Sequence, residues 1–494
     1  MLEEIREARI GKLKKLKEAG MEPYPISNKR DFSLAEVLAD FPKLSKRKIS
    51  LNLVGRLMAI REHGGSLFCD FQDGSTSLTT GGTGKLQAYL KKNLLGDRLF
   101  SLFKEAVDVG DFLEFQGKLF LTKKKEKTLE VKKWRMLAKS LRPLPEKWHG
   151  LQDIEERFRK RYLDILMNKE VREKFFLRSK IIAEIRKFLE KEMFIEVETP
   201  MLQPLAGGAA AQPFITHHNA LDIDLYLRIA PELYLKRLLI AGFPKVYELG
   251  RNFRNEGIDV FHNPEFTMLE FYEAYSNAEK QRDFIEKMFK ILIKNLFKKS
   301  FIEYDGQKID FSKKFKIISF FEVLRRLALL VNAETTSRED FKLKAKQFGI
   351  EVQESDGKEK IADNIFKKIC RPKLIQPTFI IDYPAELLPL AKSFEKNKET
   401  ADAFQLVAGG LELVKAFSEL NNPLVQKERF LRQEEARTRG DLEAGESDED
   451  FLEAMEYGLP PAGGVGIGID RLVMLFTNTK NIKEVILFPT MRPK

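Results

Sequence analysis

Residues 247–272, YELGRNFRNEGIDVFHNPEFTMLEFY, hold the side chains of this chain best suited to chemistry. Two strands joined by a loop would sort them by parity, because strand side chains alternate between faces. Asn252, Arg254 and Glu256 then share one face of the first strand. Phe266, Met268, Glu270 and Tyr272 share one face of the second, while Thr267, Leu269 and Phe271 point the other way. An arginine can fork a phosphate or a carboxylate, and an aromatic ring can carry a flat base. Acids beside them can hold an ammonium. A solvated face of an antiparallel hairpin gives the same alternation, so this run alone leaves both readings open.

Two further runs narrow the choice. GVGIGIDRLVMLF at 464–476 sets Arg471 behind a glycine-rich strand, and FLEKEMFIEVETPML at 188–202 ends on Pro200 and two apolar residues. With FRNEG they resemble motifs three, one and two of the class II aminoacyl-tRNA synthetases. The string GGAAAQPFITHHNALDIDLYLRIAPELYLKRL resembles the lysyl branch of that class. The resemblance runs from about the first helix to Pro493.

That resemblance implies an α+β chain: an N-terminal OB-fold barrel, then an antiparallel-sheet catalytic domain with flanking helices. It implies lysine activation by ATP to lysyl-adenylate, then transfer to the terminal adenosine of tRNA(Lys), in a cytoplasmic homodimer that uses Mg2+. Arg254 would meet the α-phosphate and the substrate carboxylate, and Arg471 the γ-phosphate or the adenine. Phe266 would take the other face of the base, with Glu256, His262 and Asn263 completing the nucleotide pocket. Glu232, Glu270 and the Gly208 backbone would hold the α-amine. Glu419 and Tyr272 would hold the ε-ammonium, beside Lys415 and Phe417. Buried carboxylates without a cation are costly, so such a pocket selects by sign.

Composition sets broader bounds. With 494 residues, 43% hydrophobic and 32% charged, the chain suits a soluble protein of two or three domains. The apolar runs fall far short of a membrane span, and no charged-then-apolar leader opens the chain. Cys69 and Cys370 are too few for a disulfide framework or a cysteine zinc site, and five histidines leave little room for a histidine metal centre. A net charge of +11 favours a polyanionic partner without specifying one.

Residues 1–46 form a lead-in whose basic helix, about 3–19, would be either an arm against a nucleic-acid backbone or an ordinary solvated helix. Residues 47–140 carry five short alternating runs, as in an OB-fold barrel whose face binds single strands. GGTGKL at 81–86 lacks the spacing and the Ser or Thr of a Walker loop. By resemblance this module holds the anticodon, with Arg61, Phe68, Gln87 and Glu126 at base-contacting positions. Phe68 as barrel core is the plain alternative. Residues 75–82 look like a long loop, and 141–156 like a proline-stiffened linker. The catalytic domain spans 157–494, with a helical insertion at about 319–370 that carries no readable chemistry.

The metal site is where the chain departs from its family. Glu412 is the best metal candidate, with Gln405 on the neighbouring strand of a hairpin turning at Gly409-Gly410. Pairing Ala408 with Leu411 sets Val407 opposite Glu412 and Gln405 opposite Val414, leaving Gln405 and Glu412 diagonal at roughly 7 Å. Strict alternation would put Lys415, Phe417 and Glu419 on the reverse face, so a bulge must intervene if all line one site. The family has acids at both metal positions, whereas this chain has Gln405, with Lys415 in place of an asparagine. Gln212 and Asn422 also depart from the pattern. Losing one acid and gaining one base adds two positive charges, as much as one divalent cation. Lys415 is therefore expected to stand in partly for a magnesium ion, the plain alternative being that it weakens lysine binding by repulsion and slows the enzyme. A protein-lysylating relative and a non-catalytic tRNA-binding paralogue remain the rival readings; the barrel weighs against the first, and Arg254, Glu256, Glu412 and Arg471 against the second.

Overall fold

The structure is a computed structural model and describes residues 2–76, 83–145, 151, 153–438 and 445–493. The loop expected at 75–82 falls mostly outside these residues, as does 146–150 of the linker. The chain divides into two compact units, Met1–Leu151 and Gln152–Lys494.

In the first unit β1 (Leu51–His63), β2 (Ser66–Thr76), β3 (Thr83–Lys91), β4 (Phe112–Leu121) and β5 (Lys127–Ala138) close a barrel in the order β1-β2-β3-β5-β4. These are the five runs predicted from alternation. Leu53, Leu67, Cys69, Phe71, Ala88, Leu90, Phe115 and Val131 point inward and are buried. Gly117 lies where β4 crosses β5 so closely that a Cβ would overlap the Glu130 carbonyl. Helix Leu2–Glu18 is no free arm: Leu16 joins the barrel core, and the buried Arg9 donates to the carbonyls of Val109, Ser140 and Arg142. Lys12 and Lys15 pair with Asp108 and Glu105. Much of its basic face is therefore spent on its own domain.

The second unit opens with helix Ile154–Arg159, N-capped by Asp153. Its strands are β6 (Ile195–Glu196), β7 (Leu202–Gln203), β8 (Ile215–His218), β9 (Ile223–Leu227), β10 (Lys245–Phe253), β11 (Glu265–Ala274), β12 (Phe301–Tyr304), β13 (Gln307–Asp310), β14 (Lys316–Ser319), β15 (Thr378–Pro384), β16 (Thr400–Ala408), β17 (Leu411–Ser418) and β18 (Ala462–Gly468). Eight form one sheet in the order β14-β15-β16-β17-β18-β11-β10-β6. It is antiparallel except for the edge pairs β14–β15 and β6–β10, so the sheet is mixed rather than purely antiparallel.

One face of this sheet is core. Helix Ala278–Phe297 buries Ile285, Met288, Phe289, Leu292 and Ile293, a three-and-four spacing that makes one apolar stripe. Asn277 caps its start, and Lys298 in the left-handed region ends it. That stripe packs with Ile181, Ile185 and Phe188 of helix Lys169–Lys191 against Leu269 and Phe271, the odd-parity residues of β11. The opposite face carries the even-parity residues. The 319–370 insertion builds its own core on β15 and β16, where Phe320, Ile361, Ile365 and Phe366 meet Ile380, Ala403 and Val407. Among the described residues, no helix is long and apolar enough to cross a membrane.

Candidate active site and nucleic-acid face

The register of five strands lays the site out in rows. Gln405 of β16 pairs with Lys415 of β17, Lys415 with Gly466 of β18, Gly466 with Glu270 of β11, and Glu270 with Glu248 of β10. One row further on stand Ala403, Phe417, Gly464 and Tyr272. Glycine at 464 and 466 leaves a trough between the acids of β11 and the charged groups of β17. A Cβ at Gly464 would overlap both Glu419 Oε1 and the Tyr272 ring.

Gln405 does not face Val414 as strict pairing required. The register shifts between Leu406 and Val407, so Leu413 bulges out of β17 and Lys415 moves opposite Gln405. The bulge brings Glu412, Lys415 and Phe417 onto one face, the condition their joint use demanded. Strand β10 ends at Phe253, so Arg254 and Glu256 lie on the following loop rather than on the strand face with Asn252. The Arg254 amide donates to the Pro264 carbonyl at 2.9 Å, which keeps the loop ends together.

The acids gather at one end of the trough. Glu232, Glu270, Tyr272 and Glu419 are all buried. Tyr272 donates to Glu270 Oε2 at 3.0 Å. Burial pushes the Glu270 carboxyl up to about 8, with Glu232 adding to the shift. Burial also pushes Glu419 to about 8, against the pull of Lys236. The Tyr272 phenol rises well above its usual range for the same reason. Gly208, at φ +87°, lets its backbone lie against Glu232, whose Cβ would be 2.9 Å from an added Cβ. Behind this pocket Arg228, fully buried, pairs with Glu248 and donates to the Arg251 carbonyl at 2.9 Å. Removing one partner of such a pair costs about 3–5 kcal/mol.

Cations gather at the other end. The Arg254 guanidinium lies 5.0 Å from the centre of the Phe266 ring, and its buried Nε has no hydrogen-bond partner. Arg471, in the first turn of helix Ile469–Phe476, approaches Glu412 at 4.0 Å and donates to His262 Nε2 at 3.0 Å. His262 Nδ1 sits 2.8 Å from Asp259. An arginine only donates, so Nε2 accepts and the Nδ1 proton goes to Asp259. Asn263 is buried and donates to the Glu265 carbonyl, while Glu256 is exposed.

Glu412 is not among acids. Burial would raise it, but Arg471, Arg371, Lys415 and Lys367 together hold it below the usual carboxylate range. Arg371 Nη1 lies 3.3 Å from Glu412 Oε2. Among the described residues, no three His, Cys, Asp or Glu side chains cluster to hold a metal. Lys415 opens onto the cleft and makes no ion pair among them; the surrounding protein lowers its ammonium.

Sequence reasoning missed Lys236, Arg228, Glu248, Lys367 and Arg371. The insertion has chemistry after all: its short π-helix Phe366–Cys370 carries Lys367, and Arg371 follows directly. For Lys236 a signal existed, a Glu-to-Lys spacing of four on a helix otherwise rich in leucine.

On the barrel, Leu67 and Cys69 point inward, so Phe68 lies on the outer face and is not core. Its ring is 4.8 Å from Tyr89, which lies 6.2 Å from Phe120. Around this aromatic patch Arg61 pairs with Asp70 at 3.0 Å, and Gln87 donates to Glu126 at 3.2 Å. Stacking rings bordered by paired edge-reading groups suit single-stranded nucleic acid.

An oligonucleotide-type barrel ahead of a mixed sheet with an arginine-and-acid trough defines a two-domain tRNA-charging architecture. Residues 153–492 match the family model described as tRNA synthetases class II (D, K and N), and 51–137 match an OB-fold nucleic acid binding domain. The chain belongs to this class II synthetase family. It is 48% identical over 493 residues to the lysine–tRNA ligase of Carboxydothermus hydrogenoformans, covering 100% of this chain and 99% of that one. The lysine–tRNA ligase of Pelotomaculum thermopropionicum is 47% identical, over 100% of this chain and 96% of its own. That of Aquifex aeolicus is 48% identical, over 90% of this chain and 73% of its own.

Proposed function

We propose that the chain is a lysine–tRNA ligase. The carboxylate of lysine attacks the α-phosphate of ATP, pyrophosphate leaves, and a ribose hydroxyl of the terminal adenosine of tRNA(Lys) then takes the lysyl group. One observation carries the amino-acid assignment: three buried carboxylates, Glu232, Glu270 and Glu419, converge with Tyr272 at one end of the trough. Anions so enclosed demand cations. An aspartyl or asparaginyl enzyme would need a cation or a neutral donor where Glu419 stands.

Arg254 then spans the α-phosphate and the substrate carboxylate, its Nε lacking any other partner and its plane supported by Phe266. Phe266 also offers a face to the adenine. Arg471, steered by His262, serves the far phosphates. Such an arrangement catalyses by positioning and by fixed charge on the developing oxyanions. The barrel face of Arg61, Phe68, Gln87 and Glu126 takes the anticodon.

Magnesium is the family's expected ion. Glu412 and the buried, unpartnered Gln405 Oε1 fit one held largely by nucleotide phosphates and water. When bound, it would neutralise phosphate charge. Lys415 beside them supplies a fixed point charge to the same oxygens, with Lys367 and Arg371 at the rim. By the family resemblance the protein works as a cytoplasmic homodimer.

ATP–pyrophosphate exchange with and without tRNA tests the reading. Exchange that depends on lysine and proceeds without tRNA supports it; exchange indifferent to lysine overturns it.

A further inference from the structure

The acid pocket already contains a cation. Lys236, one helical turn after Glu232, is fully buried. Its Nζ lies 2.6 Å from Glu232 Oε1, 2.5 Å from Glu419 Oε2 and 5.6 Å from the centre of the Phe417 ring. Burial alone would depress this ammonium, but Glu232 and Glu419 outweigh it and raise the group, which stays charged.

The surrounding charges can be assigned one by one. Arg228 is ion-paired with Glu248, and Arg254, over the Phe266 ring, forms no ion pair with the acids and acts on Glu270 only through space. Tyr272 stays neutral. Once ionised, Glu232, Glu270 and Glu419 have Lys236 as their one ion-paired cation among the described residues, a deficit of two positive charges that the empty pocket meets by holding protons. Glu419 Oε1 accepts no hydrogen bond although the residue is 1% exposed, so a buried acceptor waits for a donor. Free lysine carries two ammonium groups. We propose that Lys236 is a positioning residue that sets specificity, fixing Glu232 and Glu419 and leaving the pocket short of the two charges that the ammonium groups of lysine supply. This rests on the lysine reading given above.

Consequences follow for both binding and titration. An amino acid with a neutral side chain would leave one buried carboxylate unpaired, a penalty that favours lysine. Lys236 is also the principal group pulling Glu419 down, against burial and against Glu232 and Glu270. Without it Glu419 would hold its proton to still higher pH, and ionising it to pair an ammonium at neutrality would cost more.

The test is lysine-dependent pyrophosphate exchange by the unaltered protein, Lys236→Gln and Lys236→Arg between about pH 6.5 and 9. Lys236→Gln is expected to raise the KM for lysine about tenfold near neutrality, leaving the KM for ATP close to its original value. The acid limb of kcat/KM for lysine should move up by about one pH unit, so that the deficit narrows at the alkaline end. Lys236→Arg should keep the limb in place. A loss of equal size at every pH, or an unchanged KM, overturns the proposal. Lys236→Met fills the same space without charge and carries the same comparison if the glutamine variant does not fold. Exchange that ignores lysine in the unaltered protein would instead sink the underlying lysine reading.

Discussion

Gly464→Ala perturbs the pocket by shape alone. The new methyl would overlap Glu419 Oε1 and the Tyr272 ring, while no charged group is added or removed. Gly464 is not at a positive φ, so the backbone itself tolerates alanine. The Glu419 carboxylate must shift away from the trough and lose its contact with the substrate ammonium. A hydrogen bond to a charged group is worth about 1.5–3 kcal/mol, which is about 10- to 150-fold in the KM for lysine at ~1.4 kcal/mol per decade. Overpacking adds a stability cost of about 1–3 kcal/mol. The three atoms nearest this methyl belong to Glu419 and Tyr272 and none to Arg254 or Arg471, so the KM for ATP should hold. Gly468→Ala is the control, because its Cβ would meet only the Arg471 side chain at an ordinary 3.9 Å. Steady-state pyrophosphate exchange with each substrate varied in turn reads both constants. A Gly464→Ala protein with unchanged KM for lysine, or with both constants raised alike, would refute the placement of Glu419.

Three other outcomes follow from the same geometry. Burial pushes the Glu270 and Glu419 carboxyls up to about 8 in the empty pocket, and they bind ammonium only when ionised, so the KM for lysine should fall as pH rises from 6.5 towards about 8.5 and flatten beyond; a flat or opposite profile counts against those carboxyls as ligands. A Gln405→Glu, Lys415→Asn double variant lowers the net charge beside Glu412 by two and should make exchange depend more steeply on magnesium; identical magnesium titrations would show that Lys415 takes no share of the ion's work. Phe68→Ala should cost about 1–3 kcal/mol in tRNA binding through lost base stacking, raising the KM for tRNA while exchange without tRNA is untouched; an unchanged KM for tRNA would move the anticodon contact elsewhere.

Much of the site was legible because strand parity is a strict rule. Phe266, Glu270 and Tyr272 fall on the trough side of β11, and Leu269 and Phe271 in the core, as period two requires. The need for a bulge in β17 was also readable, since Glu412 and Phe417 otherwise face opposite ways. Its position at Leu413 was not, because that depends on how β16 and β18 clamp β17 from both sides. Arg254 and Glu256 were expected on the strand face with Asn252, but β10 ends at Phe253 and both lie on the loop beyond it. In sequence Lys236 shows only a Glu-to-Lys spacing of four, which many surface helices share; only the convergence of Glu419, far away in sequence, makes it a buried counter-ion. Lys367 and Arg371 were hidden for the same reason. Their helical insertion has an ordinary composition, and the fold alone carries them to Glu412.

The central claim is that an acid-lined pocket receives a dicationic amino acid, and the most direct measurement is a crystal structure with lysine and a non-hydrolysable ATP analogue bound. The account predicts the side-chain ammonium within hydrogen-bond distance of Glu419 and Tyr272, with the carboxylate turned towards Arg254. A side chain directed away from Glu419, or lysine absent from the trough while nucleotide is present, would contradict it.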